Sequence, residues 1–452
     1  MKINIITLGC SKNTVDSENL AGSLKALGHS VHFDRQRNDC DTVIINTCGF
    51  IGDAKEESIN TILQAVQWKA RSLKRRLIVC GCLAERYREE LQKELPEVDA
   101  WYGVHEWEDI VSSLTTETQT PKHSSNQTLK QSSNQAIKQS SAPLRPLSTP
   151  SHYAYLKIAE GCNRSCSYCA IPLIRGAHHS RPMDDIVDEA KKLVASGVKE
   201  LLVISQDTTW YGLDLYRRRA LGQLLNRLAV ESGAPWIRLH YTYPSSFPDD
   251  AIDAIALHPN ICNYIDIPLQ HINSRILGSM QRGIDREGTL RLLDTFRARI
   301  PNVSIRTTLI AGYPGETEAE FEELKEFVRT ARFDRMGCFA YSPEEGTPAA
   351  RLGDPVPDSE KQRRVSELMA IQEQISLEKN QALVGRTLRC LVERIEDRHI
   401  IARTEYDSPE IDDEVLIPTH ATLPSSLQGL VGSFADVLIT DALENDLIGQ
   451  LV

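Results

Sequence analysis

The chain has 452 residues, 41% of them hydrophobic and 25% charged, with a formal net charge of −11. That is the composition of a soluble globular protein of about two to four domains, and it contains no apolar run near the roughly 18 to 20 residues that a membrane span needs. The negative balance argues against wholesale phosphate binding, though not against a local basic groove.

The opening stretch "MKINIITLGC" is too short in its apolar part, and too soon polar, for a secretory signal, so a cytoplasmic location is expected. The runs "INIITL" (3–8), "TVIINT" (42–47) and "RLIVCG" (76–81) suit buried parallel strands, with helices predicted over Asp16–Leu27 and Asp53–Ala70. This alternation predicts an open, doubly wound α/β domain over 1–114. From 115 to 150 the chain is rich in Ser, Gln, Thr, Asn and Lys and poor in large apolar residues, which predicts a flexible linker. Six strand-like runs follow, "YLKIAE" (155–160), "LLVIS" (201–205), "WIRLHY" (236–241), "YIDIPL" (264–269), "VSIRTTLI" (303–310) and "MGCFAY" (336–341). With helices between them they predict a partial (β/α) barrel over 151–380. The last part, 381–452, alternates short β-like pieces with turns and predicts a small β-barrel.

Eleven cysteines make an odd number, and in a reducing compartment metal ligation or catalysis is the better expectation for them than a disulfide framework. Cys162, Cys166 and Cys169 lie within "AEGCNRSCSYCAIP" (159–172), just after the first barrel strand, at the sheet edge where active groups sit. A structural zinc site takes four ligands, so zinc would need a fourth, such as His178 or His179, and zinc spacings usually come as paired Cys-x2-Cys units. A four-iron cluster on three thiolates instead leaves one iron open to a substrate.

Upstream, Cys10, Cys48 and Cys82 each come at the end of a predicted strand. Strand C-termini of an open parallel sheet share one edge, so the three thiols can converge on a second cluster, although a free cysteine is often simply core. Cys80 still lies within its strand and is read as core.

The Cys-x3-Cys-x-aromatic-Cys pattern, with Tyr168 as the aromatic, resembles the radical S-adenosylmethionine (SAM) superfamily. Over nearly its full length the chain resembles the methylthiotransferases of the MiaB/RimO family, on "TLGCSKNTVDSE" (7–18), "INTCGFI" (45–51), "CGCLAERY" (80–87), "GCNRSCSYCAIP" (161–172), "SRP" (180–182), "SQDTTWYG" (205–212) and "AGYPGET" (311–317). The resemblance implies an N-terminal methylthiotransferase domain with an auxiliary 4Fe–4S cluster on Cys10, Cys48 and Cys82. It implies a radical SAM core whose cluster sits on Cys162, Cys166 and Cys169, and a TRAM β-barrel that recognises substrate. It further implies two SAM molecules, one a methyl donor to sulfur and one cleaved to a 5′-deoxyadenosyl radical, and an electron donor such as flavodoxin or ferredoxin. The family usually carries an acidic residue where this chain has Ala177. His178 and His179 either compensate or form a polar surface turn, and the turn is expected.

Other positions have two readings each. Gln206 and Asp207 follow the second barrel strand and are expected to face the SAM cavity, unless Asp207, Thr208 and Thr209 make a helix N-cap; the resemblance favours a SAM- or substrate-facing Gln206. Arg181 either pairs with the SAM carboxylate or makes a salt bridge. Gly312 and Gly315 permit tight backbone near a ligand, and Thr317 with Glu320 makes a capping box. From Gly385 onward there are five basic residues against thirteen acidic ones, which suggests a surface that repels a polyanion and attracts a basic partner. With "GCSKNTVDSE" and "RTEYDSPEIDDEVLI" (403–417), this favours the RimO branch, which modifies an aspartate β-carbon of small-ribosomal-subunit protein twelve. The alternative is the MiaB branch, which modifies isopentenyladenosine in tRNA.

Overall fold

The structure is a computed structural model that describes residues 1–34, 39–115, 145–396, 398–419 and 429–452. The expected linker lies outside the described residues for 116–144. The chain forms two compact units, one of 1–148 with Leu173–Arg175, the other of 149–172 with 176–452.

In the first unit, strands β1 (Lys2–Thr7), β2 (Ser30–Phe33), β3 (Thr42–Thr47), β4 (Arg76–Gly81) and β5 (Ala100–Tyr102) form one parallel sheet in the order β2-β1-β3-β4-β5. Ile3, Ile5, Ile44, Ile78 and Cys80 bury one face, and Val43, Ile45, Leu77 and Val79 the other, so the central strands read as unbroken apolar runs. The order reverses between β1 and β3, which makes the crevice beyond their C-terminal ends the place for a ligand. The two outer strands, β2 and β5, were not anticipated from the sequence. At the linker's described end, Arg145 is buried and pairs with Glu18, and Ser148 donates to Glu18 from both its backbone N–H (2.7 Å) and its hydroxyl (2.9 Å).

The second unit holds all six expected barrel strands. They are β6 (Tyr153–Lys157), β9 (Glu200–Ile204), β10 (Trp236–Leu239), β11 (Tyr264–Asp266), β12 (Ser304–Ala311) and β13 (Arg335–Ala340). Two parallel three-stranded sheets, β10-β9-β6 and β11-β12-β13, meet at a single parallel bridge between Ile237 and Ile261, which gives a partial barrel. A two-stranded antiparallel ribbon, β7 (Ala159–Glu160) with β8 (His179–Ser180), flanks the cysteine loop. The chain ends in a closed barrel of β14 (Thr387–Glu396), β15 (His399–Thr404), β16 (Glu414–Pro418), β17 (Phe434–Ala442) and β18 (Asp446–Leu451), ordered β14-β15-β16-β18-β17.

Buried charge joins this barrel to the (β/α) core. Glu200 accepts from Arg238 Nε (2.7 Å) and pairs with Arg403. Arg335 Nε and Nη2 reach Asp407 (2.9 and 2.5 Å), Arg306 Nε reaches Asp412 (3.0 Å), and Asn380 Nδ2 reaches Asp413 (2.9 Å). The acidic surface is therefore smaller than composition alone suggests. Asp407 and Asp413 are buried and the side chains of Asp412 and Glu393 nearly so, while among the described residues the acids Glu396, Glu410, Asp436, Asp441 and Glu444 are exposed, as are Arg386, Arg389 and Arg398. No helix among the described residues is long and apolar enough to cross a membrane.

Candidate iron–sulfur and SAM sites

In the first unit the three strand-end cysteines come together because their loops pack on one another. Gly9 has φ +90°, and a Cβ there would stand 2.7 Å from Cys48 Cβ and 2.9 Å from its sulfur. A Cβ on Gly49 would stand 2.7 Å from the Leu83 backbone, next to Cys82. Each thiol also sits at or near a helix start. Cys10 caps helix Ser11–Ala26, Cys82 opens helix Cys82–Glu94, and Cys48 shortly precedes helix Gly52–Lys69. Unpaired N–H groups and the positive dipole end there favour a thiolate. Ser58 fixes the Cys48 backbone, its hydroxyl accepting from the N–H (3.1 Å) and donating to the carbonyl (2.9 Å).

Asn13, a residue the sequence reading passed over, ties the loops together. It is fully buried, and its Nδ2 donates to the carbonyls of Leu8 (2.8 Å) and Thr47 (3.1 Å). Its Oδ1 accepts from Arg175 Nη2 at 2.5 Å, and the same guanidinium pairs with Asp16 (2.7 Å) and reaches the Cys82 sulfur (3.6 Å). Burial pushes the Cys82 thiol up to about 12, with Arg175 opposing, so an uncompensated thiolate is disfavoured there until a cation is bound. Cys80 is fully buried in the sheet core, as expected from its place inside the strand.

In the second unit the loop that carries Cys162, Cys166 and Cys169 is fixed by its own backbone. Cys162 N–H donates to Gly176 O (3.1 Å), Ser167 N–H to Met280 O (3.0 Å) and Cys169 N–H to Cys166 O (3.1 Å), while the Ser167 hydroxyl donates to Ser279 O (2.8 Å). Tyr168 is drawn inward, with Arg282 Nη1 donating to its hydroxyl at 3.1 Å. Arg164, also in the loop, pairs with Asp207 (2.6 Å) and lies 3.8 Å over the Tyr243 ring. Burial pushes the Cys162 thiol up to about 11 and the Cys169 thiol to about 12. Among the described residues no trio of His, Cys, Asp or Glu is drawn tightly enough to share one ion.

The remaining sequence-predicted positions are distributed as follows. Gln206 donates from Nε2 to Glu160 (2.5 Å), and its Oε1 is buried without a partner, as are Ser205 Oγ and Gln270 Oε1 near the C-terminal ends of the barrel strands. Gln270 also holds a left-handed backbone, φ +75°. Unmet polar atoms at that edge, with one strained residue, are what a polar ligand such as SAM would satisfy. Asp207 is an N-cap, its side chain accepting from Thr209 N–H, and it also pairs with Arg164. The Arg181 guanidinium is engaged by Lys157 O (2.6 Å) and Glu189 (2.7 Å). Gly312 has φ +74°, and a Cβ there would run into the Lys361 side chain, so protein packing alone requires glycine. Thr317 and Glu320 make the expected capping box. His179 is exposed, as a surface turn predicts, but His178 is not. It is 2% exposed, its Nε2 is 3.2 Å from Ser180 Oγ, and the Asn163 side chain accepts from its backbone N–H. Burial holds its pKa below the usual histidine value. Tyr243 follows a strand end and could have been found by the rule that found the cysteines; Arg282 carries no such signal.

Three regions match known families. They are residues 2–103, the uncharacterized protein family UPF0004; 156–328, the radical SAM superfamily; and 384–452, the TRAM domain. A ribosomal protein uS12 methylthiotransferase RimO from Flavobacterium psychrophilum is 50% identical over 99% of this chain and 98% of its own length. The protein of the same name from Bacteroides fragilis is 47% identical over 100% of this chain and 99% of its own. Among solved structures, the radical SAM methyltransferase TsrM from Kitasatospora setae, with cobalamin and a [4Fe–4S] cluster bound, matches with a TM-score of 0.57 at 14% identity, covering 88% of this chain and 77% of that one. The cobalamin-dependent radical SAM enzyme OxsB matches with a TM-score of 0.53 at 12% identity, over 84% of this chain and 56% of that one. At those identities the structural likeness speaks to fold alone.

Proposed function

The chain belongs to the RimO family of radical SAM methylthiotransferases, and from that membership we propose that it adds a methylthio group to the β-carbon of an aspartate in ribosomal protein uS12. The observation that carries the reading is a pair of separate three-cysteine sets, one in each compact unit, the first just beyond the ends of three parallel strands and the second on the single loop that follows β7. We assign Cys10, Cys48 and Cys82 to an auxiliary 4Fe–4S cluster and Cys162, Cys166 and Cys169 to the cluster that binds SAM. Of the four positions expected on the SAM side of the second site, we assign Tyr168 and Gln206 to it; Arg181 is already taken up by Glu189 and Lys157 O, and Gly312 is accounted for by its packing on Lys361. When bound, these groups supply the carbon radical and the sulfur that the reaction joins. The chain's own part would be to hold three thiolates for each cluster on fixed loops and to offer Gln206 Oε1 and Gln270 Oε1 to a polar ligand. The reading includes a cytoplasmic location, an external electron donor such as flavodoxin or ferredoxin, and a division into 1–114, a linker 115–150, a core 151–380 and a TRAM barrel 381–452. Because so many barrel acids are internal, the names of the relatives support uS12 over tRNA more than net charge does.

Two measurements test this. Anaerobically reconstituted protein is expected to hold about eight irons per chain, and the Cys10, Cys48 and Cys82 to Ala triple variant about half, with reductive SAM cleavage retained. Full iron in the triple variant overturns the auxiliary assignment. Mass spectrometry of uS12 and tRNA from a deletion strain decides the substrate: a lost methylthio group on tRNA with uS12 unchanged selects the MiaB reading.

A further inference from the structure

We propose that Arg282 is a positioning residue of the Cys162–Cys166–Cys169 centre, its buried guanidinium donating to the Cys166 sulfur and stabilising the reduced, more negative state of a cluster held there. The inference rests on the cluster assignment above. Arg282 is 4% exposed, and among the described residues no carboxylate pairs with it. A buried cation without a counter-charge is costly. Its partners are the Cys166 sulfur (Nη1, 3.3 Å), the Tyr168 hydroxyl (Nη1, 3.1 Å) and the Pro268 carbonyl (Nη2), while its Nε has none. Of these only Cys166, as a cluster thiolate, brings the negative charge that the guanidinium lacks.

The geometry holds the cation in that place. Its carbon lies 4.2 Å from the Tyr243 ring centroid, and that of Arg164 lies 3.8 Å from the same centroid, so two guanidinium groups rest against this ring. The Tyr243 hydroxyl is 2.9 Å from Arg282 O and 3.5 Å from the Cys166 sulfur. Two side chains thus approach Cys166, whereas Cys162 takes a backbone N–H, from Arg164 at 3.4 Å. Hydrogen bonds to sulfur and net charge near a cluster set its potential. A cation there favours the state with one more electron, so losing it makes the cluster harder to reduce.

The test is a redox titration of the anaerobically reconstituted holoenzyme, followed by electron paramagnetic resonance of the signal that changes when SAM is added. The signal that does not respond to SAM serves as internal reference. R282Q is expected to lower the reduction equilibrium constant of the SAM-responsive cluster at least tenfold, about 59 mV for one electron, with the reference unmoved. R282K, which keeps the charge, is expected to stay within about threefold of the parent protein. A loaded R282Q within twofold of the parent overturns the proposal, as does an R282K that shifts as far as R282Q. Should R282Q take up no iron, Y243L decides, because it removes the surface that holds the guanidinium: a shift of threefold or more in the same direction supports the proposal and no shift overturns it. If the parent protein gives no SAM-responsive signal, the cluster assignment itself fails and this inference with it. An unmoved R282Q signal sinks this inference alone.

Discussion

Replacing Glu200 by Ala tests whether buried charge fastens the C-terminal barrel to the core. Glu200 opens β9, is fully buried, and sits between Arg238 of β10 and Arg403 of β15. Burial alone would raise its pKa, but the two guanidinium groups hold it below the usual carboxylate range. Removing the carboxylate leaves Arg238 with only the Glu405 carbonyl (2.8 Å) and the Tyr264 ring (4.6 Å), while Arg403 keeps Glu393 (3.0 Å) and the Asp407 carbonyl (2.7 Å). Breaking a buried ion pair from one side costs about 3–5 kcal/mol; with Arg403 still paired, about 4 kcal/mol is expected. That is a large share of the roughly 5–15 kcal/mol that holds a typical native fold together. A depressed carboxylate stabilises above its unfolded pKa, and that contribution is lost as pH falls through the lower folded value, so the variant should also lack part of the acid-limb loss. Urea unfolding followed by far-UV circular dichroism at neutral pH measures the change. A loss under about 1 kcal/mol would refute the reasoning, since even an exposed pair accounts for that much. A triple replacement of Glu200, Arg238 and Arg403 by Leu, Met and Leu should recover most of the loss, because an apolar triad leaves no charge unpaired.

Asp413 titrates in the opposite sense. Burial, aided by the nearby Asp407 and Asp412, pushes it up to about 7 in spite of Arg335 at 3.2 Å, which is shared with Asp407. A raised carboxyl costs stability as pH climbs from its unfolded value to its folded one, here by about 4 kcal/mol between about pH 4 and 7. D413N should abolish that share of the slope in thermal melts at pH 5 and 7.5; an unchanged slope counts against the protonated form. N13A unpairs the buried Leu8 and Thr47 carbonyls, so a loss of about 2–5 kcal/mol is expected, together with about half the iron after reconstitution and intact SAM cleavage. Full iron in N13A would show that Asn13 does not organise the first cysteine set. T317A removes the capping box of helix Glu318–Ala331 and should cost about 1 kcal/mol in urea unfolding, with no effect on iron content.

The fold was most legible where burial is two-sided. Thr42–Thr47 is buried throughout and Arg76–Gly81 nearly so, and both runs were found to the residue because a strand covered on both faces carries an unbroken apolar signature. Ser30–Phe33 and Ala100–Tyr102 are short edge strands of four and three residues, half exposed, and their sequences carry neither a run nor a clear alternation. The barrel's fifth strand, Asp446–Leu451, alternates correctly but is interrupted by Gly449, where a Cβ would collide with Val437. Helix Ser11–Ala26 begins five residues earlier than expected because Cys10, a poor N-cap by side chain, serves as one.

The site divides along a different line. Cys10, Cys48 and Cys82 could be grouped from the sequence because a parallel sheet brings its strand C-termini to one edge whatever the intervening sequence, and Cys162, Cys166 and Cys169 because they share one short loop. Asn13, Arg175 and Arg282 could not be, because their meaning lies in which loops meet, and nothing local in "SKN", "IRG" or "MQRG" records that. The barrel acids show the same limit from the other side. Composition counts Asp407, Asp412 and Asp413 as charge offered to a partner, yet each faces an arginine of the (β/α) core that an equal count would assign to a different surface. A charge belongs to a binding surface only after its internal partners are subtracted. Here that subtraction takes Asp407, Asp412 and Asp413 out of the exposed acidic count and makes them part of the joint between the barrel and the core.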